Sequence, residues 1–444
     1  MQKVLQNIAT TTAKYKGGPV NYGRVTSAVG LVIKAEGLNA SLGQHYKIHV
    51  DAQKIIDAEV VGLNASETLL MPMSGMEGLR TGQYIEPVHR PLTTPVGPSL
   101  LGRVIDAHGQ PMDGKGKIHY DEEYPIYAAP PPPLERPLID TPLFTGIRAI
   151  DCFTSIGQGQ RVGLFAGSGV GKSVLMGMIA KASSADINVI ALIGERGREV
   201  REFIDEVLGE EGLKRSVVVA ATSDQAGMAR VKAALVATAI AEYFRDQGKN
   251  VFMLIDSVTR IAMAQREIGL ASGEPPTTKG YPPSVFSLLP KLLERAGRND
   301  KGSITGIYTV LVDNDDPNDP VADSVRSIID GHIVLSRKLA NRSHYPAIDV
   351  LDSVSRVMTK VVTKEQRSIA QRAKEMLATY RESEDLINIG AYVRGSNPKI
   401  DKAINSNEAI NKFLKQDFDE WEDNTEATWA ELDKIIGVGN FIPR

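Results

Sequence analysis

Ala166-Gly167-Ser168-Gly169-Val170-Gly171-Lys172-Ser173 stands between two apolar runs. The run before it, Val162-Gly163-Leu164-Phe165, has the composition of a buried strand. The run after it, Val174-Leu175-Met176-Gly177-Met178-Ile179-Ala180, has that of a helix. A strand, a glycine-rich loop, Lys-Ser and a helix make up the phosphate-binding loop of nucleoside triphosphatases. Glycines let successive N–H groups turn inward around phosphate oxygens, and the helix N-terminus adds partial positive charge. Lys172 is placed to reach the β- and γ-phosphates, and Ser173 to ligate Mg²⁺. Gly167, Ser168, Gly169, Val170, Gly171, Lys172, Ser173 and Val174 form the expected nucleotide-binding segment. Ala166 replaces the usual first glycine and is small enough for the turn.

Outward from this loop, strand and helix signals alternate from about 158 to 350. Strands are expected over 187–193, 216–221, 251–255, 304–312 and 332–335, with helices over 228–246 and 257–269 between them. This alternation implies a parallel sheet with helices on both faces. The run 251–255 ends in Asp256, a carboxylate placed to hold Mg²⁺ beside the loop. Gly194-Glu195-Arg196-Gly197-Arg198-Glu199 follows the run 187–193. A carboxylate at that sheet edge faces the ligand crevice, so Glu195 is placed to polarise an attacking water. Taken alone, the same segment also fits a solvated mixed-charge turn. Tyr345 offers a flat face to an adenine ring, or an interface contact. Arg356 suits transition-state charge, though a lone arginine is ordinarily a surface residue.

Before about 90 the pattern is different. Short β-rich runs at 30–33, 46–50, 59–62 and 68–71 are separated by Gly and Asn turns, as in a small β-barrel. Pro91, Pro95 and Pro98 suggest a linker, and Pro130 to Pro133 a polyproline stretch. After about 365 the chain is helical and charged, at 364–380, 401–404, 408–418 and 426–436. Residues 1 to about 20 suit a short amphipathic helix or a frayed end. The expected division is 1–22, a barrel over 23–90, an ATPase domain over 91–358 and a helical domain over 359–444.

With 42% hydrophobic and 24% charged residues, the 444-residue chain is globular in composition. A net charge of −3 gives no global pull toward nucleic acid or anionic lipid. Cys152 is the sole cysteine, so an internal disulfide is excluded; it suits a reducing compartment and a buried apolar site. No apolar run approaches the roughly 18 residues of a membrane span, and no signal-peptide core opens the chain.

Larger motifs add a resemblance. Asp256-Ser257-Val258-Thr259-Arg260, Gly273-Glu274-Pro275-Pro276, Lys279-Gly280-Tyr281-Pro282-Pro283-Ser284 and Asp330-Gly331-His332-Ile333-Val334-Leu335-Ser336-Arg337, together with the 194–200 segment, resemble the type III protein-export ATPases. These are relatives of the rotary ATP synthase catalytic subunit. The loop itself and Gly395-Ser396-Asn397-Pro398 followed by Asp401-Lys402-Ala403-Ile404 look most like the flagellar branch, with the virulence injectisome close behind.

The resemblance implies an α/β fold: a RecA-like P-loop ATPase core with an N-terminal β-barrel and a C-terminal helical domain. It implies a homo-hexamer binding ATP and Mg²⁺ between protomers. Lys172, Glu195, Arg196 and Arg356 would be catalytic, with Arg356 acting on the neighbour's nucleotide. Ser173, Asp256 and Glu199 would serve the metal, and Tyr345 the adenine. Implied partners are a regulatory or stator protein at the N-terminus, a central stalk-like protein, an export gate and chaperone–substrate complexes. The implied place is cytoplasmic, at the inner face of the inner membrane, with peripheral membrane contact. Three other readings stand beside this one. A rotary synthase subunit is disfavoured by the 262–286 stretch. An RNA-translocating hexamer lacks the basic, aromatic-bearing surface it needs, and no nucleic-acid partner is expected. A non-catalytic scaffold would not carry Lys172, Glu195, Asp256 and Arg356 together.

Overall fold

The computed structural model describes residues 21–437 except 65, 313–315, 317, 318 and 423. The expectation for the first 20 residues lies outside the described residues. The chain divides into two compact units, one running to Leu92 and including Ile268–Glu274, the other made of Thr93–Glu267 and the chain from Pro275 onward.

Among the described residues the first unit carries six antiparallel strands: β1 (Gly23–Val29), β2 (Val32–Glu36), β3 (His45–His49), β4 (Ile55–Leu63), β5 (Thr68–Pro72) and β6 (Tyr84–Pro87). They close a barrel in the order β1-β2-β5-β4-β3-β6. Closure removes the exposed sheet edges. Alternate side chains point inward, and Val25, Ile33, Tyr46, Ile48, Ile56, Leu70 and Ile85 fill the interior. The apolar run at 30–33 is not all strand. Gly30, at φ 60°, turns the chain with Leu31, and β2 begins at Val32. β1 and β6, the first and last strands of the barrel in chain order and neighbours within it, are too polar to show in the hydrophobic pattern.

The second unit is built on a mostly parallel sheet. Its order is Val354–Ser355, Gly331–Leu335, Arg161–Ala166, Ser303–Leu311, Asn250–Asp256, Ile187–Ile193, Ser216–Ala221 and Arg103–Ile105. The central strands are buried on both faces; every residue of Ile187–Ile193 is buried. Chain order and spatial order differ. The Ser303–Leu311 strand lies between the strand that ends at the glycine loop and the one that ends at Asp256.

The proline-rich region is not a plain linker. Thr93–Val96 pairs with Glu122–Pro125, and Arg103–Ile105 joins the main sheet beside Ser216–Ala221. Pro95 is tolerated because this ribbon has only two strands, so a missing N–H leaves no central ladder broken. Farther on, Pro132 sits at φ −55°, ψ 141°, in the polyproline region.

Among the described residues three helices follow residue 363: Lys364–Asn388, Pro398–Leu414 and Thr425–Ile436. Asn397 caps the second through Lys399 N at 3.0 Å, and it runs unbroken where two pieces were expected. Ile369, Ala373, Ile410, Phe413, Trp429 and Leu432 share one hydrophobic cluster with Ile150, Phe153 and Met176. The C-terminal helices are thus packed on the nucleotide-binding domain, within one compact unit.

Candidate active site

Phe165 and Ala166 end their strand in the middle of the sheet, and the loop turns there into the Lys172–Ala182 helix. Gly169 and Gly171 take positive φ, 77° and 88°, which L side chains rarely adopt. Gly177, one turn into that helix, is forced by packing. A Cβ there would stand 2.1 Å from Val207 Cγ1. Val170 lies in the core, so its contribution to the loop is its amide.

Lys172, on the helix's first turn, reaches across the intervening strand. Its Nζ bonds Asp256 Oδ1 and stands 3.7 Å from Glu195 Oε1. Asp256 is buried, and its Oδ1 also accepts from Thr309 Oγ1 at 2.7 Å. Glu195 leaves the end of the Ile187–Ile193 strand. Burial first, then the negative charge of Asp256, push its carboxyl up to about 7; Lys172 pulls the other way. Glu195 and Glu199 share a hydrogen bond that favours the protonated acid.

A cleft of about 490 Å³ opens above the loop, lined by Gly169, Lys172, Ser173, Glu195, Arg196 and Arg260 among others. Val174, Gly167 and Ser168 also face it. Beside it lies a smaller pocket of about 140 Å³ that Ser173, Glu195, Glu199 and Asp256 line. Arg196 reaches the cleft from solvent and pairs with Glu199 at 3.4 Å. The ring of Tyr345 lies over Gly171, 3.5 Å from where a Cβ would stand, and is half exposed. Its carbonyl accepts from Gln416 N at 2.9 Å. A second cleft, of about 670 Å³, is lined by Tyr345, Ser343, Phe413, Lys415 and Gln416.

Arg356 is not at this edge. It is exposed, and its N–H donates to Asp330 O at 2.9 Å, next to Arg161. Arg161 begins the strand that Ala166 ends, so Arg356 and the loop are separated by about 17 Å of strand.

Two members of the site were not among the expected site residues, and only one of them carries a local signal. Thr309 meets Asp256 only because strand register sets Tyr308 opposite Ile255. Arg260 sits four residues past Asp256 on the next helix, and that spacing from a strand-terminal carboxylate is the signal available. Among the described residues its buried Nε has no hydrogen-bond partner, and it lines the cleft.

These features fit a phosphorylated ligand. A helix of 11 residues presents its N-terminus, two positive-φ glycines open the cradle, and Lys172 and Arg260 supply positive charge beside two carboxylates. Among the described residues no three acidic, histidine or cysteine side chains cluster as a metal cage. A hydroxyl and one or two carboxylates suit Mg²⁺, which takes its other ligands from phosphate and water.

The fold and this edge of the sheet define a RecA-like P-loop ATPase. Residues 146–355 match the nucleotide-binding domain of the ATP synthase alpha/beta family, and residues 362–434 match the T3SS EscN ATPase C-terminal domain. The flagellum-specific ATP synthase of Bacillus subtilis (strain 168) is 55% identical over 401 residues, 90% of this chain and 92% of that one. The type 3 secretion system ATPase of Xanthomonas euvesicatoria is 51% identical over 400 residues, 90% of each chain. The assembled ATPase EscN of the enteropathogenic E. coli type III secretion system superposes with a TM-score of 0.89 at 49% identity, over 93% of this chain and all of that one. The chain belongs to the ATPase family of flagellar and type III protein export, and it is an ATP-hydrolysing enzyme of that family.

Proposed function

We propose that this chain forms a homo-hexameric ring that hydrolyses Mg-ATP at sites shared by neighbouring protomers, to energise protein export through a flagellar apparatus. The observation that carries the reading is a division within one chain. Lys172, Glu195 and Asp256 converge at one edge of the sheet, and Arg356 stands exposed at the other. A protomer so divided offers both halves of a site, and a closed ring completes every one of them.

In this reading the loop amides and Lys172 bind the β- and γ-phosphates. Tyr345 stacks on the adenine. Arg260 and Arg196 neutralise charge as it develops on the γ-phosphate. Glu195, ionised, accepts a hydrogen bond from the attacking water and aligns it with phosphorus. The neighbour's Arg356 completes the charge stabilisation. Ser173 and Asp256, with Glu199 beside them, would hold Mg²⁺, which when bound screens the phosphate charge.

The relative EscN has been solved with its central stalk EscO, a structure that superposes on this chain with a TM-score of 0.86. We infer a stalk-like partner here, with a stator protein at residues 1–22, an export gate and chaperone–substrate complexes as further contacts. The inferred place is the cytoplasmic face of the inner membrane, with peripheral contact. Among the described residues no helix is long and apolar enough to cross a membrane. The injectisome remains the second reading, because the SPI-2 type 3 secretion system ATPase of Salmonella typhimurium is also 55% identical, over 364 residues.

Mixing two inactive variants tests the shared site. Arg356→Ala keeps the loop and Lys172→Ala keeps the finger. Co-assembled rings contain some interfaces with both groups intact, so ATPase activity returns. A mixture shown by sizing to co-assemble, yet silent at every ratio, rules the shared site out.

A further inference from the structure

Arg356 is exposed, but the chain that carries it is held from beneath. It follows Val354–Ser355, a two-residue edge strand paired with Gly331–Leu335, with Gly331 opposite Ser355. Edge strands this short fray readily unless something else ties them. Gln160 supplies the tie. Its side chain is fully buried, and Nε2 donates to Ser355 Oγ at 3.1 Å and to Asp330 O at 3.3 Å. Its Oε1 accepts from Gly157 N at 2.9 Å. Ser355 Oγ in turn donates to Ser155 O at 2.8 Å.

The next residue extends the support. Arg161 clasps Asp330 through Nε at 3.0 Å, Nη2 at 3.1 Å and its main-chain N at 3.1 Å. Its Nη1 meets Glu294 Oε1 at 2.5 Å, and Glu294 is held by Arg136 at 2.8 Å. A buried carboxamide and a half-buried chain of charges are costly unless every group is satisfied. Here they converge on Asp330, whose carboxylate Arg161 holds and whose main-chain O accepts from both Gln160 Nε2 and the Arg356 N–H, and on Ser355, the residue before Arg356. None of them faces the phosphate-loop cleft.

We propose that Gln160, backed by the Arg161–Asp330 pair, is a positioning residue for Arg356. It locks the main chain at 355–356 so that the guanidinium projects from the protomer in one direction. This rests on the shared-site reading above. An arginine that must meet a phosphoryl group on another chain gains rate only if its base does not move. A displacement of about 1 Å costs on the order of 10²-fold in rate.

The test is directional. Gln160→Leu keeps the bulk and removes both donors. Its kcat is expected to fall about 10²-fold, as for a misplaced transition-state group, with the KM for ATP nearly unchanged. Co-assembled with Lys172→Ala, whose finger is intact, the variant regains activity. Co-assembled with Arg356→Ala, it does not, because both chains then lack a working finger. The reverse pattern, rescue by Arg356→Ala only, means that Gln160 supports its own chain's loop, and overturns the proposal. Ser355→Ala, which removes both bonds of that hydroxyl while Gln160 keeps its bonds to Asp330 O and Gly157 N, carries the same test if Gln160→Leu does not fold. Wild-type turnover in Ser355→Ala and Asp330→Asn together also overturns it. The reference mixture of Arg356→Ala with Lys172→Ala separates the two failures. Silence there removes the shared site itself, whereas rescue there with the reverse pattern for Gln160→Leu removes the positioning role alone.

Discussion

Lys172 Nζ bonds the buried carboxylate of Asp256 and stands 3.7 Å from Glu195. One cation therefore serves two carboxylates across an intervening strand. A phosphate-loop lysine of this kind has a structural duty in addition to its ligand.

Lys172→Ala is expected to abolish hydrolysis and also to lower the melting temperature. Its removal leaves Asp256 buried with Thr309 alone, and breaking a buried pair costs about 3 kcal/mol or more. The double variant Lys172→Ala/Asp256→Asn should recover part of that loss, since a neutral amide needs no counter-charge. Thermal melts of the two singles and the double give the coupling. Additive losses would show that the pair is not energetically linked.

Glu195→Gln keeps the shape and loses the charge. ATP should bind with affinity within a few-fold of normal while turnover falls by orders of magnitude. In the unsubstituted enzyme the carboxyl must be ionised to accept the water's hydrogen, and its pKa is raised to about 7. kcat/KM should therefore climb between pH 6 and 8. Residual activity of Glu195→Gln should lack that limb. Persistence of the same limb in the variant assigns it to another group.

Cys152 is fully buried in the Arg148–Phe153 helix, and burial pushes its thiol well above the usual range. A thiol so placed is neither a nucleophile nor a ready target of oxidants. Cys152→Ala should keep full turnover at a cost of about 1 kcal/mol in stability from the small void. Reaction of the native protein with a thiol reagent should be slow until it unfolds. Rapid labelling of folded protein would contradict this.

His344 is buried beside a cavity of about 180 Å³, with Nε2 unpartnered among the described residues and Arg342, Arg381 and Glu384 along the cavity wall. Burial first, and then Lys415, pull its pKa down to about 4. The folded state thus binds fewer protons than the unfolded chain between roughly pH 6.5 and 4. Stability on this account is full above pH 6.5 and declines as pH falls toward 4. His344→Leu should lose less in melting temperature between pH 7 and pH 5 than the parent. An equal loss would place the acid sensitivity elsewhere.

Much of this protein was legible along the chain, because its central strands and loop are local in cause. Ile187–Ile193 is a run of apolar residues long enough for one buried strand, and the glycine loop carries its own backbone demands. Asp256 and Glu195 each end such a run, so their place at one sheet edge follows from strand direction alone. Less was legible where partners come from far away. Thr309 reaches Asp256 through inter-strand register, which no stretch of sequence states. The polar strands β1 and β6 show as strands only because the barrel needs them to close.

By itself the sequence determined the alternating α/β core, the phosphate loop and the carboxylates that flank it. Their physics is short-ranged: hydrophobic periodicity, glycine torsions and helix polarity. Only the tertiary structure decided which strand separates Lys172 from Asp256, and that Gln160 lies beneath Arg356, hydrogen-bonded to Asp330 and Ser355, which stand 170 and 195 residues away from it in the chain. Long-range pairing of this kind is set by how whole strands stack, an energy shared over many residues and written in no single one of them.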